Sequence, residues 1–73
     1  MSKLPRASGR EMLKVALKCG FVVKRQKGSH VILAKDNKLL VIPVHGNKPL
    51  KTGTLLQIIK VLGISREELS KLL

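Results

Sequence analysis

Tryptophan and tyrosine are absent from this chain, and Phe21 is its only aromatic ring. Modules that hold single-stranded nucleic acid by stacking bases on aromatic side chains need several such rings, so that mode of binding is excluded. Cys19 is the only cysteine, which rules out an internal disulfide framework and, within an apolar pattern, suits a reducing compartment. The four acids, Glu11, Asp36, Glu67 and Glu68, are scattered, and no local cluster has the spacing of a metal site. The longest unbroken apolar run, Leu39 to Val44, is six residues and includes Pro43, far below the ~20 needed to span a bilayer. No apolar segment follows the charged N-terminus, so a secretory signal is not expected. A cytoplasmic location is the expectation.

What the chain has in abundance is positive charge. Fifteen Lys and Arg against the four acids give +11 over 73 residues, a potential that attracts polyanions. Nucleic acid, an acidic protein and an anionic membrane surface all fit the charge alone. Without aromatic platforms, nucleic acid would be held through phosphate and sugar. Apolar residues make up 44% of the chain, so it is a folding sequence and not a basic disordered tail. Its length predicts a single domain over residues 1–73, near the lower limit for an independent core, since a chain of this size buries only about 60% of its unfolded surface.

The order of elements follows from local signals. Ser8 and Glu11 form a capping box that opens a helix, with Met12, Leu13, Ala16 and Leu17 as its apolar stripe and Gly20 as a left-handed stop. Arg10, Lys14 and Lys18 stack along its exposed side, as an RNA-facing row or as an ordinary solvated face. Strands are predicted over Phe21–Gln26, His30–Lys35 and Lys38–Pro43, with Lys27-Gly28-Ser29 and Asp36-Asn37 as the breaks. If Asp36-Asn37 is a two-residue turn, Val31 faces Ile42 and Leu33 faces Leu40, and these four seat the helices. His30, Ile32, Ala34, Leu39, Val41 and Pro43 then share the opposite, open face, whose apolar patch fits an acidic protein partner covering His30. A loop from Val44 to Lys51 leads to a second helix beginning near Thr52-Gly53-Thr54, with Leu55, Ile58, Ile59 and Leu62 inward and Gly63 as its stop. A second capping box, Ser65 to Glu68, opens a short helix with Leu69, Leu72 and Leu73 inward. The expected fold is α+β, in the order α-β-β-β-α-α, with a three-stranded antiparallel sheet and helices on one face.

Two places offer chemistry. His30 follows Gly28-Ser29 between two strands, and a histidine can take and return protons near neutral pH. RNA carries its own nucleophile, the 2′-hydroxyl, so a base and a few cations suffice for cleavage without a metal or an enzyme nucleophile. The alternative is an ordinary surface histidine. The start of the second helix, with Lys48, Lys51 and the N–H groups of Gly53 and Thr54, is built to accept phosphate; simple capping by Thr52 is the alternative there. His45, two residues past Pro43, is a possible second proton carrier placed diagonal to His30.

Several short motifs recur in a particular order: Leu4-Pro5, Gly20-Phe21, Gln26-Lys27-Gly28-Ser29-His30, Pro43-Val44-His45-Gly46, Lys51-Thr52-Gly53-Thr54-Leu55 and Gly63-Ile64-Ser65. Together they resemble the HicA-type (YcfA-like) mRNA interferase toxins from Leu4 to the C-terminus. The resemblance implies a fold like the double-stranded RNA-binding domain, a metal-independent endoribonuclease acting on mRNA, and neutralisation by a HicB-type antitoxin. It implies His30 as the catalytic residue, with Lys27, Gly28 and Ser29 meeting RNA beside it. Two positions depart from the pattern: Val31, where many relatives carry a second histidine or another polar residue, and Val44, where a basic residue is common. The competing reading is a non-catalytic double-stranded RNA-binding module, and a remoter one is a purely protein-binding domain. No metal, small-molecule cofactor or membrane role is expected.

Overall fold

The computed structural model describes residues 4–73. Ser8 and Glu11 exchange the two bonds of a capping box: the Glu11 N–H donates to Ser8 Oγ at 3.2 Å, and the Ser8 N–H donates to Glu11 Oε1 at 3.0 Å. They open α1 (Gly9–Lys18). At its far end Gly20 takes φ 94°. Its N–H donates to the Leu17 carbonyl at 3.1 Å, while the Phe21 N–H reaches the Ala16 carbonyl at 3.0 Å. This double bond pattern is a Schellman motif, which ends the helix and turns the chain back over it. Phe21 is thereby delivered into the core, where it is buried. It lies ahead of the first strand rather than within it, so β1 spans Val22–Lys27 and starts one residue later than expected.

β2 (His30–Lys35) and β3 (Lys38–Pro43) follow, in the sheet order β1-β2-β3, antiparallel throughout. The turn between β2 and β3 is the expected two-residue one, with Asp36 at φ 53°. Asp tolerates the left-handed region that such turns require. The register pairs Val31 with Ile42 and Leu33 with Leu40, and all four are buried. α2 (Thr52–Leu62) and α1 pack on that side of the sheet, and α3 (Arg66–Leu72) packs on α1. The opposite side stays open, with Leu39 70% and Val41 48% exposed. The α+β architecture, its order and its helices on one face are as the sequence predicts.

The stripe of α1 is rotated from the expected one. Gly9, Met12, Val15 and Ala16 are its buried residues; Leu13 is half-buried, and Leu17 stands 47% exposed. The cause lies at the helix entrance. Gly9 rests directly on the backbone of Pro43, so closely that a Cβ there would overlap the Pro43 carbonyl oxygen and stand 2.9 Å from its carbon. That contact sets the rotation of α1 on the sheet. The entrance is also tied to the loop before α2: the Leu50 N–H donates to the Ala7 carbonyl at 2.8 Å, and Ser8 bridges Pro49. In α3, Leu69 is fully buried and Leu72 half-buried. Leu73, expected inward, is 44% exposed because the helix ends before it. The Lys18 ammonium caps that end, donating to the Leu72 carbonyl at 2.9 Å.

Two glycines in first helical turns should respond oppositely to alanine. Gly9→Ala inserts a methyl group against rigid backbone and should cost about 1–3 kcal/mol. Gly53→Ala meets nothing within 4 Å and should gain about 0.4–1 kcal/mol by restricting the unfolded chain. Urea unfolding of both variants checks this, and equal shifts would refute the Gly9–Pro43 wedge.

Candidate active site

The open face is organised in three rows across the strands. Lys27, His30 and Pro43 form one, Arg25, Ile32 and Val41 the next, and Val22, Ala34 and Leu39 the third. The rows depend on a bulge in β1 between Val23 and Arg25. A bulge adds one residue to a strand and reverses the alternation beyond it. It brings Arg25 onto the open face beside Ile32, a cation that sequence reasoning did not single out. Nothing in Val-Val-Lys-Arg-Gln-Lys announces the bulge, since no glycine marks it.

The first row holds Lys27 and His30, two of the residues expected at the site. Gly28 sits in the turn after β1 at φ 60°, a conformation glycine adopts without strain. The Gln26 side chain closes the turn by donating to the Gly28 carbonyl at 3.0 Å. Ser29 is half-buried, and its carbonyl accepts the Val44 N–H at 2.7 Å. That bond fastens the β1–β2 turn to the exit of β3, and with it the residues on either side. His30 begins β2, exposed, opposite both Lys27 and Pro43. His45 follows two residues after Pro43, also exposed, and its ring meets that of His30 edge to face with centroids 6.5 Å apart. Val31, one of the two departures, points into the core, so it does not alter the face on which His30 stands.

A turn through Gly46 and Asn47 follows, with the Lys48 N–H donating to the His45 carbonyl at 3.2 Å. It folds the loop so that Pro43, His45, Lys48, Lys51 and Thr54 line one groove. Lys51, not Thr52, is the N-cap of α2, and it makes no side-chain capping bond. The first intrahelical acceptor is the Lys51 carbonyl, bonded by the Leu55 N–H at 2.9 Å. The N–H groups of Thr52, Gly53 and Thr54 therefore point out of the first turn. Thr54 lines the His45 groove, whereas Gly53 lines an adjoining one against β3. Arg10 and Lys14 are exposed on α1 and line neither groove. Among the described residues, no group of three or more His, Cys, Asp or Glu gathers as a metal site.

Fold and surface together define a small cationic α+β protein that presents two adjacent histidines at one end of its open sheet face. The family model described as HicA toxin of bacterial toxin-antitoxin matches residues 9–64, and the chain belongs to that family. No curated protein matches it. It is accordingly a toxin of a toxin–antitoxin system, of a family whose members are generally endoribonucleases, with RNA as substrate and an antitoxin as partner. No helix among the described residues is long and apolar enough to cross a membrane.

The uncapped start of α2 makes a stability prediction. Lys51→Ser supplies the missing side-chain acceptor and should raise stability by about 1 kcal/mol. An unchanged urea midpoint would mean that the first-turn N–H groups are already satisfied within the folded chain.

Proposed function

We propose that the chain is a metal-independent endoribonuclease that cleaves mRNA with His30 as general base, and that a HicB-type antitoxin neutralises it. The observation that carries this reading is the meeting of His30 and His45 at 6.5 Å, beside a groove lined by Lys48 and Lys51, in a chain of the HicA toxin family. His30 takes the proton from a 2′-hydroxyl, and that oxygen bonds to the neighbouring phosphorus. The bond from phosphorus to the 5′-oxygen breaks, and protonated His45 supplies the proton that the leaving oxygen needs. The products are a 2′,3′-cyclic phosphate and a 5′-hydroxyl. Lys27, opposite His30 in the register, is suited to balance the charge that builds on the phosphorane oxygens. Gly28 gives the RNA backbone close approach, since nothing lies within 4 Å of where its Cβ would be, and Ser29 offers a hydroxyl. Lys48, Lys51, Gly53 and Thr54 hold a flanking phosphate at the start of α2, and Arg10 and Lys14 add long-range attraction from α1.

His30→Ala should lower cleavage of a labelled RNA by about 10²–10⁴-fold while leaving most of the affinity, because binding is spread over many cations. Cleavage by the native chain should persist in EDTA and leave cyclic phosphate ends. A 5′-phosphate product or undiminished cleavage by the variant would refute the mechanism. RNA that is bound but never shortened would identify a non-catalytic double-stranded RNA-binding module instead.

Removing Lys48 and Lys51 together should weaken RNA binding without changing sequence preference. For every phosphate that is no longer neutralised, the log–log salt slope should flatten by roughly 0.7–0.9. Equal affinity and slope in a titration at two or more salt concentrations would place the RNA elsewhere on the surface.

A further inference from the structure

β1 and β3 are the two edges of the sheet, and they are built differently. β1 carries Lys24, Arg25 and Lys27 and is interrupted by its bulge; charge and irregularity are the usual means of keeping an edge from recruiting another strand. β3 is protected only at its ends, by Lys38 at the first residue and Pro43 at the last. Its six residues pair with β2 without a break, and Leu39 to Ile42 carries no charge. In an antiparallel ladder closed by a two-residue turn, the pair next to the turn is hydrogen-bonded, and bonded and non-bonded pairs alternate from there. Lys38, Leu40 and Ile42 therefore direct their backbone groups to β2. Leu39 and Val41 turn their N–H and C=O groups outward, and no described strand lies beyond them.

Alongside this edge runs a groove between Leu39–Val41 and the face of α2 that carries Thr54, Gln57 and Val61. Lys38 and Lys60 stand at one end of it, flanking Leu39 and Val61. A row of outward backbone donors and acceptors beside an apolar channel is what an added strand requires: main-chain bonds for affinity, and a place for alternate side chains. We propose that β3 takes up an extended acidic segment of the antitoxin as a fourth strand. This deepens the functional reading above, on which the choice of partner rests.

The occupant follows from charge and chemistry. A second copy of this chain would bring another +11 against Lys38 and Lys60, a like-charge contact that opposes pairing. RNA phosphates would meet outward carbonyls and the exposed Leu39 and Val41 side chains. An acidic polypeptide instead matches the backbone, the apolar surface and the lysines together. Its side chains on one side would extend the rows that now end in Leu39 and Val41, and those on the other would enter the channel against α2. Such a strand lies about 10 Å from β2, two strand spacings away, in the same sheet that carries His30.

The test uses the full-length cognate antitoxin, titrated by calorimetry in the absence of RNA. Val41→Pro removes an outward N–H without removing a bond to β2, whereas Val41→Thr keeps it. Val41→Pro should weaken antitoxin binding by about tenfold or more, with Val41→Thr close to native. In the native chain, exchange of the Leu39 and Val41 amide protons, followed by NMR, should slow when the antitoxin is bound. Native affinity in a folded Val41→Pro, or amides that exchange as fast in the complex as in the free chain, would overturn the proposal. So would protection of those amides by RNA rather than by the antitoxin. The exchange measurement decides alone if the proline variant does not fold. RNA cleavage is measured separately on the native chain, so a failed ribonuclease reading is distinguishable from a failed docking site.

Discussion

The two-residue turn at Asp36-Asn37 sets Lys35 opposite Lys38, and from that pairing every side chain of the hairpin is assigned to a face. A slip by one residue would send Val31, Leu33, Leu40 and Ile42 to solvent and draw His30 and Val41 inward. The register is held at both ends. At one end Asp36 adopts the left-handed conformation of a tight turn. At the other the Val44 N–H reaches the Ser29 carbonyl, and Gly9 is wedged against Pro43. Helix packing and the exposure of His30 thus depend on the same pairing. Core and site cannot be adjusted independently.

The charge of this chain works against its own compactness. With +11 on 73 residues, self-repulsion favours expansion, and any polyanion or acidic partner relieves it. The lysines used internally are those that meet carbonyl oxygens: Lys18 at the Leu72 carbonyl and Lys35 at the Cys19 carbonyl, 2.7 Å away. Lys24, Arg25 and Lys27 instead remain exposed on the β1 edge. Lys51 occupies a capping position without capping it. A serine or threonine there would serve stability better, and a cation at that place is the compromise expected where a surface must bind.

Signals confined to a few residues were legible in the sequence. The capping boxes at Ser8 and Ser65, the stops at Gly20 and Gly63, and the turn at Asp36-Asn37 all act within one turn of chain. They were enough to give the order of elements and the β2–β3 register. What the sequence did not reveal depends on contacts between distant segments. Leu17 has the right spacing for the core, but the wedge of Gly9 on Pro43 turns it outward. The β1 bulge has no glycine to announce it, so the place of Arg25 was hidden. Lys51 displaced Thr52 as cap because the loop through Pro49 is bound to Ala7 and Ser8 and fixes where α2 can begin. For the site, the diagonal relation of His30 and His45 followed from the register once His45 was counted two residues past Pro43. The shared groove of His45, Lys48 and Lys51 needed the Gly46-Asn47 turn and could not be counted out.

A chain this small has little interior to spare for chemistry, and both histidines are exposed. In the proposed reaction that exposure has an electrostatic consequence. Two unit charges 4 Å apart interact by about 1 kcal/mol in bulk water but about 4 kcal/mol at an effective dielectric constant of 20. Lysines on an open surface therefore stabilise a phosphorane poorly until something excludes water from them. The RNA itself must provide that cover, lying across the row of Lys27, His30 and Pro43 and against the groove beside it. Catalysis then begins only when substrate completes the site. Among the described residues nothing closes it: no described segment folds over His30, and the open face is bare of helices. On the proposed reading, a molecule that competes for the ground RNA would cover can silence such an open site, which gives the antitoxin of this family a physical point of action.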